Sequence, residues 1–94
     1  MRVGLLTVSF RLYGVNTLKE RRSVVHRILT EVHNLGSAFG ICEIPKNDGL
    51  RGLTVRVAHL STDGGFTDSA LRHVAERFEH RGDYEVVESR IEIL

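Results

Sequence analysis

The chain of 94 residues has one cysteine, one proline and no tryptophan. A single cysteine excludes an internal disulfide framework, which makes a reducing cytoplasm the simplest setting. No apolar run approaches the roughly 18 residues that a membrane helix needs. The opening MRVGLLTVSF has neither a long apolar stretch nor a small-residue cleavage site, so it does not read as a signal peptide. Repeats, low-complexity tracts and linkers are also missing, and residues 1–94 read as one domain. Neither charge sign dominates: the formal net charge is +1. A protein that coats nucleic acid by bulk charge is therefore not expected. The histidines show no metal-ligand spacing. His26 and His33, like His73 and His80, are seven apart, which on a helix is roughly 10 Å. No metal site and no cofactor are expected, and Cys42 reads as a small buried hydrophobe.

What is present is periodicity. From Arg2 to Tyr13, Leu6, Val8, Phe10 and Leu12 alternate with polar residues, as on a half-buried strand. From Leu18 to Leu35 the spacing is helical, with Leu18, Val25, Ile28, Leu29, Val32 and Leu35 on one stripe. Thr17 followed by Glu20 is a capping box, and Gly36 is a stop. Ala38–Ile44 and Leu53–Ser61 read as a second and third strand joined by a turn-rich segment containing Pro45 and Gly49. Phe66 to Arg81 reads as a second helix, with Leu71, Val74, Ala75 and Phe78 inward. Arg72 and Glu76 are spaced to pair on its outer side. The segment Asp63-Gly64-Gly65 before it reads as a turn, with Asp63 or Thr67 as the cap. Tyr84 to Leu94 reads as a fourth strand with Val87, Ile91 and Ile93 sharing a face that Glu85 extends. The order β-α-β-β-α-β predicts an α+β, ferredoxin-like fold: a four-stranded antiparallel sheet with both helices on one face. The other sheet face would be uncovered. With Val3, Leu5, Tyr13 and Val86 on it, that face suits a homo-oligomer contact.

Charge is distributed unevenly. Residues 1–36 hold six Lys/Arg against two acids, and residues 37–94 hold seven against ten. Lys19, Arg21 and Arg22 stand in the first turns of the first helix, where the macrodipole is positive and cations cost roughly 0.3–1 kcal/mol each. A choice against local stability points to a use elsewhere. At 100° per residue Lys19, Arg22, Ser23, His26, Thr30 and His33 form one stripe with Arg27 at its edge. Arg21 points toward the core side, where an acid at a strand end would suit it. Cations beside free helix amides suit either a solvated surface with internal ion pairs or an anionic partner: RNA phosphate, a metabolite or the acids of another protein. Lys46 and Arg51 in the hairpin would extend that surface. The candidate binding residues are thus Lys19, Arg21, Arg22, His26, Arg27, Lys46 and Arg51. RNA stacking on the sheet is not favoured, because the third strand carries no aromatic residue. No nucleophile, acid–base or phosphate-loop motif stands out, so no enzyme is expected.

Leu18-Lys19-Glu20-Arg21-Arg22 after a first strand resembles the S-L-K-E-K-R signature of the YlxP-like family, a bacterial family known as domain of unknown function 503. Glu43, Asp48, Ser61-Thr62-Asp63 and the terminal Ile91-Glu92-Ile93-Leu94 follow in the same order, without gaps, over essentially the whole chain. The signature serine is Thr17 here. The family's D-x-W-Q-R-A segment reads Asp48-Gly49-Leu50-Arg51-Gly52-Leu53, without the tryptophan and with the arginine displaced by one. The resemblance implies a ferredoxin-like fold and a cytoplasmic protein. Its association with translation genes implies a ribosomal or RNA partner.

Overall fold

A computed structural model describes residues 1–45, 49–79 and 81–94. It contains β1 (Arg2–Leu12), α1 (Leu18–His33), β2 (Phe39–Glu43), β3 (Gly52–Ser61), α2 (Gly64–Glu79) and β4 (Tyr84–Ile93). The four strands form one antiparallel sheet in the order β2-β3-β1-β4. This is the expected ferredoxin-like arrangement.

Strand alternation fixes the core. Leu6, Val8, Phe10 and Leu12 of β1 and Leu53, Val55 and Val57 of β3 are buried under the helices. From above, Val25, Ile28 and Val32 of α1 and Leu71, Val74 and Phe78 of α2 close over them. Phe10 sits edge-on to both Phe78 and Tyr84, with ring centroids 5.1 and 5.0 Å apart, a favoured aromatic geometry. Gly4 lies on the inward side of β1, where a Cβ would come within 2.5 Å of Thr67 Cγ2 and 2.8 Å of Leu71 Cδ1. The absent side chain lets α2 approach the sheet closely.

Both helix starts are capped by side chains. Thr17 Oγ1 accepts from the Glu20 amide at 3.1 Å. Glu20 returns to the Asn16 amide and the Thr17 hydroxyl, both at 3.1 Å. Asp63 caps α2 by accepting from the Gly65 amide at 2.8 Å. The helix therefore begins at Gly64, two residues before the expected start, and the glycines are its first turn rather than a free loop. Gly36, with φ of 139°, ends the turn after α1.

Other readings are corrected. Leu18 is 61% exposed, and Val24 takes a core place instead. Arg21, one turn on, already reaches the strand ends at Glu43 and Gly52, so Leu18 lies beyond the sheet. Cys42 is exposed. It sits on the short edge strand β2 with parity opposite to Phe39 and Ile41, which are the residues packed on the core. Arg72 pairs with Asp68 at 2.7 Å and not with Glu76. In β4 the register against β1 shifts between Ser9 and Phe10: Ser9 faces Glu88 while Phe10 faces Val86. The extra residue, Val87, is 64% exposed. Beyond it the inward set changes parity from Ser89, Ile91 and Ile93 to Val86 and Tyr84. Val87 and Glu85 thus leave the face assigned to them, and Val86 leaves the open face for the core.

Candidate functional site

The candidate surface is the outer side of α1, and the capping box sets where that helix begins. The seven residues singled out in the sequence fall into distinct groups. Arg21 turns to the sheet, donating to Glu43 Oε2 and to the Gly52 carbonyl, both at 3.0 Å, with its side chain only 19% exposed. It clamps α1 onto the ends of β2 and β3. Arg51 donates to the Val15 carbonyl at 3.0 Å and to Asn16 Oδ1 at 2.9 Å. It ties the start of β3 to the segment leading into α1. Both are structural clamps more than a free basic surface. Lys46 lies outside the described residues.

Lys19, Arg22, His26 and Arg27 remain. Lys19 and Arg22 are exposed and make no ion pair with any described residue. His26 lies 3.5 Å from the Thr30 hydroxyl. Arg27 pairs with Asp83, just ahead of β4. Two cations without an ion-pair partner among the described residues thus stand near the helix end that electrostatically disfavours them.

Beside this stripe the structure assembles charges that no sequence spacing brought together. Glu31 of α1 accepts from Arg77 of α2 at 3.2 Å and from Arg81 at 2.5 Å. Arg27, Glu31 and Arg81 line both an open groove of about 380 Å³, which Arg77 also lines, and a small cavity of about 40 Å³, which Asp83 also lines. Tyr84 lies at the cavity. It is only 4% exposed, and its hydroxyl has no hydrogen-bond partner among the described residues. Burial, followed by the nearby Glu31 charge, pushes its phenol up to about 12. The sequence signal for this cluster was thin: Arg77 and Arg81 share a helical face four residues apart, but nothing local predicts that Glu31 meets them.

A second buried polar group was also missed. His59 lies on the inward side of β3, within hydrogen-bond distance (3.0 Å) of the Thr67 hydroxyl. Thr67 contacts Ser61 Oγ at 2.6 Å, and Ser61 donates to the Asp63 carbonyl at 2.7 Å. With Ser61's proton on that carbonyl, Thr67 donates to Ser61 and accepts from His59 Nδ1. The imidazole is flanked by Phe39 and Phe66, at 4.6 and 5.7 Å. The parity of Leu53, Val55, Val57 and His59 was the available signal. This network pins the start of α2. Among the described residues no group of three His, Cys, Asp or Glu is arranged to hold a metal ion. No helix there is long and apolar enough to cross a membrane.

The sequence matches the family model described as protein of unknown function, DUF503, over residues 3–91. The chain belongs to that family. No curated protein matches it. Three solved structures similar to this member of the DUF503 family share only 10–15% of its sequence. A structural genomics protein, YJCS, is 10% identical with a TM-score of 0.56, and the alignment covers 96% of each chain. The de novo designed protein Foldit4 is 15% identical with a TM-score of 0.57, covering 100% of this chain and 97% of its own. A mutant form of SnoaB, a cofactor-independent oxygenase from Streptomyces nogalater, is 13% identical, with a TM-score of 0.50 and coverages of 99% and 90%. One topology is thus shared by an oxygenase and a designed protein. These likenesses concern the fold, and function has to be read from the surface.

Proposed function

We propose that this DUF503 chain is a non-catalytic cytoplasmic binding protein that presents the outer face of α1 to RNA, in the form of a ribosomal particle. The observation that supports this reading is the pair Lys19 and Arg22. They are exposed and have no ion-pair partner among the described residues, on a helix start that is less stable for carrying them. His26 and Arg27 continue the surface toward the middle of the helix. Contacts of this kind go to phosphate oxygens, fix position and carry little base information. The sheet offers no stacking platform: on its open face Thr54, Arg56 and Ala58 occupy the central strand β3. The test is co-sedimentation with ribosomal subunits at low and moderate salt, with the Lys19→Glu/Arg22→Glu variant beside the parent. The expected result is binding that weakens with salt and is lost in the folded variant. Unchanged binding by that variant, or none by the parent at low salt, overturns the reading.

A second reading rests on the open sheet face. Leu60 and Val87 are exposed there, and Val3 and Leu5 half-buried. They support an oligomeric interaction module joined through this face. Sedimentation equilibrium distinguishes the two: a mass that rises with concentration favours the module, and a monomer throughout counts against it.

A further inference from the structure

The sheet ends in a free edge. In the order β2-β3-β1-β4 no strand pairs with the outer side of β4 among the described residues. Such an edge presents unpaired amides and carbonyls to a further strand. Which residues present them follows from the antiparallel ladder. The Leu94 amide donates to the Val3 carbonyl, and hydrogen-bonded pairs alternate with non-bonded ones. Glu92, Arg90 and Glu88, opposite Leu5, Thr7 and Ser9, therefore turn their backbone groups to β1. Ser89, Ile91 and Ile93 turn theirs outward. The far end of β1 agrees: its Tyr13 amide donates toward β4, to Asp83, while Leu12 donates the other way, to Arg51.

Natural edges are guarded by proline, by inward-pointing charge or by a bulge. β4 has a bulge, at Val87, which guards only the first part of the strand. Residues 88–94 contain no proline and no glycine. Ile91 packs on the core, so by alternation Glu88, Arg90 and Glu92 lie on the open face and no charge points inward. On the helix side Ser89 is exposed, Ile91 half-buried and Ile93 37% exposed. A groove of about 330 Å³ runs there, between Ser89 and Ile91 on one side and Asp68, Arg72 and Ala75 of α2 on the other.

The charges select the occupant. Glu88, Arg90 and Glu92 alternate in sign along one face. A second β4, antiparallel about a two-fold axis at Ile91, places Arg90 of each copy opposite Glu92 of the other, and directly opposed unlike charges stabilise a strand pair. An axis at Arg90 or at Glu92 would stack like charges. An axis at Ser89 would draw Val87 of the bulge into the ladder opposite Ile91, and one at Ile93 would leave a very short overlap. Backbone direction agrees with the Ile91 axis: Ile91 exchanges hydrogen bonds with its own copy, and Ser89 with Ile93. Within one chain Arg90 Nε and Glu92 Oε1 are 3.7 Å apart, a loose pair that an opposing strand can replace.

We propose that residues 88–94 form a homodimer interface in which two copies of β4 pair antiparallel about Ile91 and join two four-stranded sheets into one. The contact is isologous, each copy offering the same strand. It uses neither the start of α1 nor the open sheet face, so it stands or falls apart from both readings above.

The test is hydrogen exchange, followed by NMR on the intact protein at low and high concentration, with sedimentation equilibrium beside it. The expected result is a mass rising to that of a dimer, with protection of the Ser89, Ile91 and Ile93 amides rising in step. Arg90→Glu and Glu92→Arg each oppose like charges at both symmetry-related positions and should weaken the dimer roughly tenfold. Mixed in equal amounts, the two variants are complementary at both positions and should recover at least the parent's affinity, which also shows that each is folded. A monomer at every concentration overturns the proposal, as does failure of the mixed variants to recombine. Association without protection of those three amides overturns it too and leaves the open face as the contact. Glu92→Arg dimerising as strongly as the parent overturns the Ile91 register.

Discussion

Gly4 and Tyr84 each do one physical thing that a substitution can isolate. At Gly4 the backbone is ordinary strand, so the constraint is space alone. A methyl group there meets Thr67 and Leu71 of α2 at 2.5 and 2.8 Å. Thr67 is held by its contacts with His59 and Ser61, so it cannot simply turn away. Gly4→Ala should therefore destabilise the fold by about 1–3 kcal/mol, the usual range for overpacking a tight core. Urea denaturation of the two proteins checks this. Tyr84 acts through pH. Its phenol ionises near 10 in the unfolded chain and at about 12 in the fold. The fold favours the neutral phenol, so its contribution is complete below pH 10 and is lost as pH rises toward 12. Denaturation measured across that window should show stability falling with pH. Tyr84→Phe should flatten the part of the slope that Tyr84 supplies.

The helix α1 joins two opposing local preferences in its first two turns. The capping box favours a helix start at Thr17, and Thr17→Ala should cost about 1 kcal/mol in stability. Lys19, two residues later, opposes the macrodipole. Lys19→Glu should raise stability by about 0.3–1 kcal/mol at low salt, read as a higher melting temperature. If Lys19 serves binding, the same change should lower ribosome co-sedimentation, so stability and binding would move in opposite directions. The capping box was legible because it needs only residues three apart. The Arg21–Glu43 pair was nearly so: the helical wheel turned Arg21 inward, and Glu43 was the acid at a strand end. The β4 bulge was not legible. Strict alternation through Val87, Ile91 and Ile93 is a good strand pattern, and only the pairing of β4 with β1 reveals that Val86 and Tyr84 enter the core instead. Cys42 was misread for a related reason. Its burial depends on which strand lies at the sheet edge, and the order β2-β3-β1-β4 is a property of the whole fold. The groove was hidden at the same level, since Glu31, Arg77 and Tyr84 come from three separate elements and Arg81 from the segment between α2 and β4.

For the molecule as a whole, charge decides what kind of binding to expect. A net charge of +1 gives no general attraction to nucleic acid. Any RNA contact must come from a local set of cations, and the structure reduces that set. Arg21 is engaged with Glu43 and Gly52, and Arg51 with Val15 and Asn16. On the α1 surface Lys19 and Arg22 have no ion-pair partner among the described residues, and Arg27 can join them by leaving Asp83. Three phosphate contacts on a single strand correspond to a slope of log K against log salt of about −2. A protein binding by bulk charge would show a far steeper slope. RNA affinity measured over a range of salt concentrations therefore reads the number of working cations directly. Arg22→Gln should lower the slope by about 0.7, one contact's worth. Arg21→Gln should leave the slope unchanged and lower the melting temperature instead, because its donors hold α1 to the sheet. Should both substitutions change the slope equally, Arg21 must leave its clamp on binding RNA, and the α1 surface is larger than the free protein displays.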